Sequence, residues 1–132
     1  MAVFLDTVGL IALWDRADQW HSAADAAFQQ IVANGTPYVT TPFVLAECGN
    51  AAARKPFRKR VVALEKILAA TNGVETPTEL DWPHAWHDYE RGVAGNAGIV
   101  DCISFAVMRR LGLTEVFTND QHFAAAGFTT LF

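Results

Sequence analysis

Cysteine is scarce in this chain. Cys48 and Cys102 are the only two in 132 residues, and no Cys-x-x-Cys pair occurs. That excludes a disulfide-stapled fold and a thiolate zinc module, and predicts two free, buried thiols. Charge is sparse as well: 18% of residues are charged and the formal net charge is −4, which excludes a protein that holds nucleic acid through a globally positive surface. No apolar run reaches about 18 residues, so no membrane span is expected. The first residues, Met-Ala-Val-Phe-Leu-Asp, lack a basic segment ahead of their apolar run and do not form a signal peptide. A soluble, cytoplasmic protein is expected. Linker composition and internal repeats are missing too, which predicts one domain over residues 1–132, long enough to bury roughly two thirds of the surface its unfolded chain exposes.

What is present alternates short apolar runs with helical patterns. Ala2 to Leu5 has no polar alternation and predicts a strand buried on both faces. Thr7 to Trp14 predicts a short helix, and Trp20 to Val32 another, stopped by Asn34-Gly35. Pro37 to Thr40 predicts a second strand. Thr41-Pro42, a cap with proline at the first helical position, then opens a helix to about Arg54. Pro56 to Thr71 predicts a helix with an apolar face of Phe57, Val61, Leu64, Ile67 and Leu68. Val74 to Thr76 predicts a strand, and Pro77 to Ala94 a helix with an aromatic face of Leu80, Trp82, Trp86 and Tyr89. Beyond a Gly-containing loosening at Gly92, Gly95 and Gly98 comes a helix near Gly98–Met108, then a strand Glu115–Thr118, a helical turn from His122 and a terminal strand Phe128–Phe132. Strands alternating with helices predict an α/β fold, a three-layer α/β/α sandwich with a mostly parallel sheet.

The Gly98–Met108 stretch is nearly all apolar except for Asp101 and Ser104. Asp101 falls in the first turn of the predicted helix, where the helix dipole favours a carboxylate, yet no Lys or Arg stands within a turn of it. Three further acids share its placement. Asp6 and Asp120 follow predicted strand ends, and Glu47 lies a turn or two into the helix after the second strand. In parallel sheets ligands sit beyond the carboxyl ends of the strands, so all four acids can reach one cleft. Each has an ordinary role open to it singly: a cap for Asp6, an exposed helix position for Glu47, a dipole partner for Asp101, an Asx turn for Asp120. Together they would repel, by about 4 kcal/mol for a pair about 4 Å apart at an effective dielectric of 20. A hard divalent cation relieves that crowding. Oxygen ligands alone select Mg²⁺ or Mn²⁺ over Zn²⁺, and such a site suits phosphodiester hydrolysis by an activated water.

The chain resembles a PIN-domain ribonuclease, more narrowly a VapC-type toxin of a bacterial toxin–antitoxin pair, over essentially its whole length. The resemblance rests on Phe-Leu-Asp6-Thr7, on Ala46-Glu47, on Val100-Asp101-Cys-Ile-Ser-Phe-Ala, and on Phe117-Thr118-Asn119-Asp120-Gln-His122-Phe123 followed by Ala126-Gly127-Phe128. It implies an endoribonuclease in which Asp6, Glu47, Asp101 and Asp120 bind the metal, with Thr7 and Thr118 as supporting hydroxyls. An RNA substrate, a small antitoxin protein and a homodimer are the implied partners. Families of this kind often carry Ser or Thr three residues before the third acid; Gly98 stands there, which implies one capping hydrogen bond fewer.

Other features carry weaker signals. Arg54, Lys55, Arg58, Lys59 and Arg60 crowd one seven-residue window, an RNA-backbone patch, a partner patch or a solvated face. His84 and His87 stand i, i+3 without a third zinc ligand. His21 and His122 are expected to pack or lie at the surface, His122 bracing the loop beside Asp120. Trp82, Trp86 and Tyr89 are expected in the core or a dimer interface. Ser104 lacks a His and an acid for nucleophilic work. A phosphoacceptor module would need an Asp near Val74–Pro77 and a Lys where Thr118 stands. A haloacid-dehalogenase-like phosphatase would need an Asp at Val8. A PIN-like domain that is a non-toxin nuclease, or an inactive one that only binds a partner, is the remaining alternative.

Overall fold

The computed structural model describes residues 1–132. In chain order the elements are β1 (Val3–Leu5), α1 (Thr7–Trp14), α2 (His21–Ala33), β2 (Tyr38–Val39), α3 (Pro42–Ala52), α4 (Arg58–Ala70), α5 (Asp81–Glu90), α6 (Val93–Asn96), α7 (Ile99–Leu111), β3 (Glu115–Phe117), α8 (Gln121–Ala125) and β4 (Thr129–Thr130). The sheet order is β2-β1-β3-β4, and every pairing is parallel. Phe4 pairs with Val39 on one side and Val116 on the other. This central position explains why Val3, Phe4 and Leu5 carry no polar alternation: all three are buried on both faces.

The helices fall into two packed groups. In one, α1 lies on α2 and α3, and α3 on α4; in the other, α5 lies along α7, with α6 and α8 beside them. The sheet and these two groups make the α/β sandwich that the alternation predicts. Helix α7 is its centre, with seven consecutive residues, Cys102 to Met108, buried. Phe105 stacks edge-on against Phe123 at 5.0 Å, and Phe117 packs against Phe28 and Phe132 at 5.4 and 5.2 Å. Both cysteines are free and buried.

Several expectations need correction. The helix predicted from Pro77 begins only at Asp81, after a turn in which the Thr78 N–H donates to Asp81 Oδ2 at 2.8 Å and the Asp81 N–H to the Thr78 carbonyl at 3.0 Å. It stops at Glu90 rather than Ala94, since Gly92, Ala94, Gly95 and Asn96 all have left-handed backbone. Its buried residues are Asp81 and Ala85, not the aromatic stripe. Arg110 Nε reaches both oxygens of Asp81 at 3.0 and 3.2 Å, and fully buried Ala85 allows close approach to the bulky α7. Trp82 packs on Phe43 at 5.3 Å, whereas Trp86 and Tyr89 stand about half exposed, stacked on each other. The helix predicted from Pro56 starts at Arg58, and Ile67 faces outward from it. The predicted strand at Val74–Thr76 shrinks to one parallel bridge, Thr40 to Val74, and the terminal strand to two residues.

Gly9 sets the spacing between α1 and the sheet. A Cβ there would meet the Phe117 carbonyl oxygen at 2.1 Å, a backbone atom that cannot turn aside. Gly9→Ala should therefore push α1 off β3 and destabilise the fold by about 2 kcal/mol or more. A denaturant titration against wild type checks this, and an unchanged midpoint would refute the close-packing assignment.

Candidate active site

The carboxyl end of β1 delivers Asp6 directly into the interior. Its side chain caps α1, accepting from the Val8 N–H at 3.3 Å, and takes a second hydrogen bond from Thr118 Oγ1 at 2.8 Å. Thr118 follows β3, the strand beside β1, so the parallel pairing itself brings residues 6 and 118 together. Asp6 is only 2% exposed. The cap and the site role proposed from sequence are thus compatible in one side chain.

The other acids arrive on neighbouring elements. Thr41 caps α3, accepting from the Val44 N–H, and with Pro42 at its start the helix carries Glu47 to Thr7, whose hydroxyl donates to Glu47 Oε1 at 2.6 Å. Asp101 sits in the first turn of α7; Gly98, at its N-cap, makes no side-chain capping bond, as the missing hydroxyl predicts. Asp120 caps α8. Its Oδ1 accepts the His122 backbone N–H at 2.9 Å and lies 2.8 Å from His122 Nδ1, while its own N–H donates to Thr118 Oγ1 at 3.1 Å.

His122 is therefore more than a brace for a loop. Its Nδ1 is also 3.9 Å from Asp101 Oδ2, and candidate ligand atoms of Asp101, Asp120 and His122 lie within 4.8 Å of one another. An ionised carboxylate only accepts, so the nitrogen facing Asp120 carries a proton and donates; that atom orients the acid rather than offering a lone pair to a cation. The i, i+2 spacing from an N-cap aspartate is the sequence signal for this contact.

Crowding leaves an electrostatic mark. Burial pushes the Asp6 carboxyl up to about 7, against the lowering by the Thr118 hydrogen bond, and the charges of Asp101 and Asp120 push the same way as burial. Asp101 is pushed up to about 6, by burial first and then by Asp120, with His122 opposing and Glu47 adding. The Cys48 thiol, buried beside Asp6 and Glu47, is pushed up to about 12 and stays protonated as a small packing residue. These mutual influences join all four acids in one cluster. The donor set fits a hard divalent cation: carboxylate oxygens, several of them aligned by donors, in a place where the unrelieved charges would otherwise take up protons.

The remaining candidates lie elsewhere. Arg54, Lys55, Arg58, Lys59 and Arg60 are exposed in the α3–α4 turn and the start of α4. Arg58 Nη1 donates to the Ala53 carbonyl at 3.0 Å and closes the end of α3. His21 Nδ1 is 2.9 Å from the Ala12 carbonyl, a packing contact. His84 and His87 join no cluster of three ligand-type side chains. The Ser104 hydroxyl donates to the Val100 carbonyl within α7.

A strand-end aspartate, an acid on each of two helices and a fourth at the cap of a last short helix, all on a parallel sheet, define a layered α/β protein with an acidic centre. The model of the PIN domain matches residues 3–129, and the chain belongs to the PIN domain family. Its similarity extends to the 23S rRNA-specific endonuclease VapC20 of Mycobacterium tuberculosis, in strains CDC 1551 / Oshkosh and ATCC 25618 / H37Rv. Identity to each is 32% over 128 residues, covering 96% of this chain and 95% of the relative. The crystal structure of M. tuberculosis VapC20, described as a sarcin-ricin loop cleaving toxin, superposes with a TM-score of 0.80 at 30% identity and 97% coverage of both chains. The motifs around Asp6, Glu47, Asp101 and Asp120 thus belong to a VapC-type PIN domain.

The raised acids give a pH prediction. Between roughly pH 4 and 7 the folded, metal-free chain holds more protons at Asp6 and Asp101 than the unfolded chain, whose carboxyls titrate near 3.8. Stability from these two groups is complete below that value and is lost as pH rises through about 6 and 7. In EDTA the melting temperature should fall across this window, and Asp6→Asn should flatten the fall. Melting curves of wild type and variant at several pH values test it; identical profiles would refute the burial-driven shift.

Proposed function

We propose that this chain is a divalent-cation-dependent endoribonuclease, one PIN domain over residues 1–132, acting in the cytoplasm as the toxin of a toxin–antitoxin pair. The observation that carries the reading is the convergence of Asp6, Glu47, Asp101 and Asp120 on one centre that no Lys or Arg neutralises. Mg²⁺ or Mn²⁺ matches the oxygen donors. When bound, such an ion supplies an activated water and charge stabilisation at the phosphodiester.

The chain's own residues prepare that centre. Thr118 and the start of α1 hold Asp6, Thr7 holds one oxygen of Glu47, and His122 holds one oxygen of Asp120. In Glu47 and Asp120 the second oxygen is left for the ion, with its direction fixed before binding. Buried Leu5, Phe117 and Phe123 wall the strand ends and keep the acids in a poorly solvated setting, which strengthens their hold on a cation.

The names of the relatives make the sarcin-ricin loop of 23S rRNA the first RNA to test. A small antitoxin protein is the expected inhibitor. A homodimer is supported by Trp86 and Tyr89 on α5, in contact with each other and about half exposed. An inactive partner-binding domain has no need to keep four acids together with their aligning donors.

Asp101→Asn keeps the side-chain volume and removes a charge the ion requires, so cleavage of a sarcin-ricin-loop RNA should fall at least about 100-fold with the fold intact. Near-normal Mg²⁺-dependent cleavage by the pure folded variant would overturn the site. Millimolar Mn²⁺ should raise the melting temperature of the wild type, because a ligand that binds only the folded state shifts the equilibrium. His122→Asn, which keeps a donor near the Nδ1 position, should retain most of that shift, whereas His122→Ala should lose much of it. Equal shifts in both variants would remove His122 from the centre.

A further inference from the structure

The sequence groups five basic residues in one window, but the fold regroups them. A cavity of about 540 Å³ opens where the end of α1 meets the α3–α4 turn, lined by Trp14, Asp15, Arg16, Lys55, Phe57 and Arg60 among others. Of the window, only Lys55 and Arg60 reach it. The third cation, Arg16, comes from a turn 39 residues before Lys55 in the chain. Trp14 and Phe57 form a nearly buried apolar floor, their rings 6.5 Å apart.

Arg109 and Arg110 are neutralised by Asp88 and Asp81 at 3.0 Å. Arg16, Lys55 and Arg60, like the other Lys and Arg side chains, have no carboxylate within salt-bridge distance; what sets these three apart is the cavity they share. Asp15, the one acid in the cavity, accepts the Ala17 N–H to close its own turn. Three cations against one acid make the cavity locally positive on a chain of net charge −4. Three cations converging against a single acid, over an apolar floor that weakens screening, favour an anion with an apolar part.

The position relative to the acids narrows the ligand. Helix α1 starts beside Asp6 and ends at Trp14, eight residues or about 12 Å away. Helix α3 carries Glu47 and ends just before Lys55. Both helices lead from the acidic centre to this cavity. We propose that the Arg16–Lys55–Arg60 cavity binds a backbone phosphate of the RNA substrate a few nucleotides from the cleaved bond, with Trp14, Pro56 and Phe57 against the adjoining sugar or base. The volume is in the range that holds a group of nucleotide size. This rests on the endoribonuclease reading above.

The test compares two triple variants with the same change in net charge, each in an Asp101→Asn background so that RNA is not consumed. One neutralises the cavity (Arg16→Gln, Lys55→Gln, Arg60→Gln); the other neutralises the rest of the window (Arg54→Gln, Arg58→Gln, Lys59→Gln). Binding of a sarcin-ricin-loop hairpin RNA is titrated at several salt concentrations. The cavity triple should bind on the order of 10-fold more weakly at 0.1 M salt and flatten the log–log salt slope by roughly 0.7 to 0.9, the contribution of one neutralised phosphate. The control triple should change both far less. Arg16→Gln alone, in an exposed turn, should weaken binding and flatten the slope in the same direction by a smaller amount, even if the triple is poorly folded. Equal losses in both triples would overturn the cavity in favour of diffuse attraction. Unchanged RNA binding together with loss of poly-glutamate binding would assign it to an acidic peptide instead and overturn the proposal. If the Asp101→Asn parent binds no hairpin RNA at all, the endoribonuclease reading fails before the cavity is reached.

Discussion

A carboxylate kept almost wholly out of water at the end of the central strand is the costliest feature of this fold, and much of the architecture follows from it. Asp6 has no cation partner. Its neighbours are a threonine hydroxyl from the adjacent strand end, the backbone N–H groups that open α1, and two other acids, Asp101 and Asp120. Isolated in a protein interior, such a group would favour protonation or displacement. It stays because the β1–β3 pairing fixes Thr118 opposite it and because α1, held close through Gly9, cannot move away. The same strain that raises its proton affinity gives a cation a strong reason to bind.

The layered fold and the four acids were legible in the sequence because strand burial and strand ends write themselves into local patterns. Val3 to Leu5 lacks alternation since both faces are covered, Asp6 and Asp101 interrupt apolar stretches where a charge is expensive, and Asp120 follows a strand end. What local pattern could not supply was the identity of tertiary neighbours. The aromatic spacing of Trp82, Trp86 and Tyr89 looks like a buried face, yet α7 packs against Ala85 and Asp81, because Arg110 supplies a partner that no helical periodicity announces. Pro77 looks like a first helical residue, but a turn from Thr78 to Asp81 comes first and the helix starts only at its end.

The remoter contacts of histidine and arginine escape local pattern for the same reason. His122 meets Asp101 only after α7 and α8 have packed, so its sequence context shows the contact to Asp120 and hides the one across the centre. The five-residue basic window looks like one surface, whereas the α3–α4 turn sends its members in different directions: Arg58 closes α3, and Lys55 and Arg60 turn toward Arg16. Charge density along a chain is a poor guide to charge density in space wherever a tight turn intervenes.

The order in which the acids occur along the chain has a consequence for synthesis. Asp6 is made among the first residues, yet its hydroxyl donor, Thr118, lies 112 positions later, and Asp120 and His122 later still. Strand β1 needs β3 to bury its second edge, so its most buried acid waits, unpaired, through most of translation. A chain stopped just before β3 carries Asp6, Glu47 and Asp101 but lacks Thr118, Asp120 and His122. The parallel topology thus delays assembly of the centre until the polypeptide is almost finished.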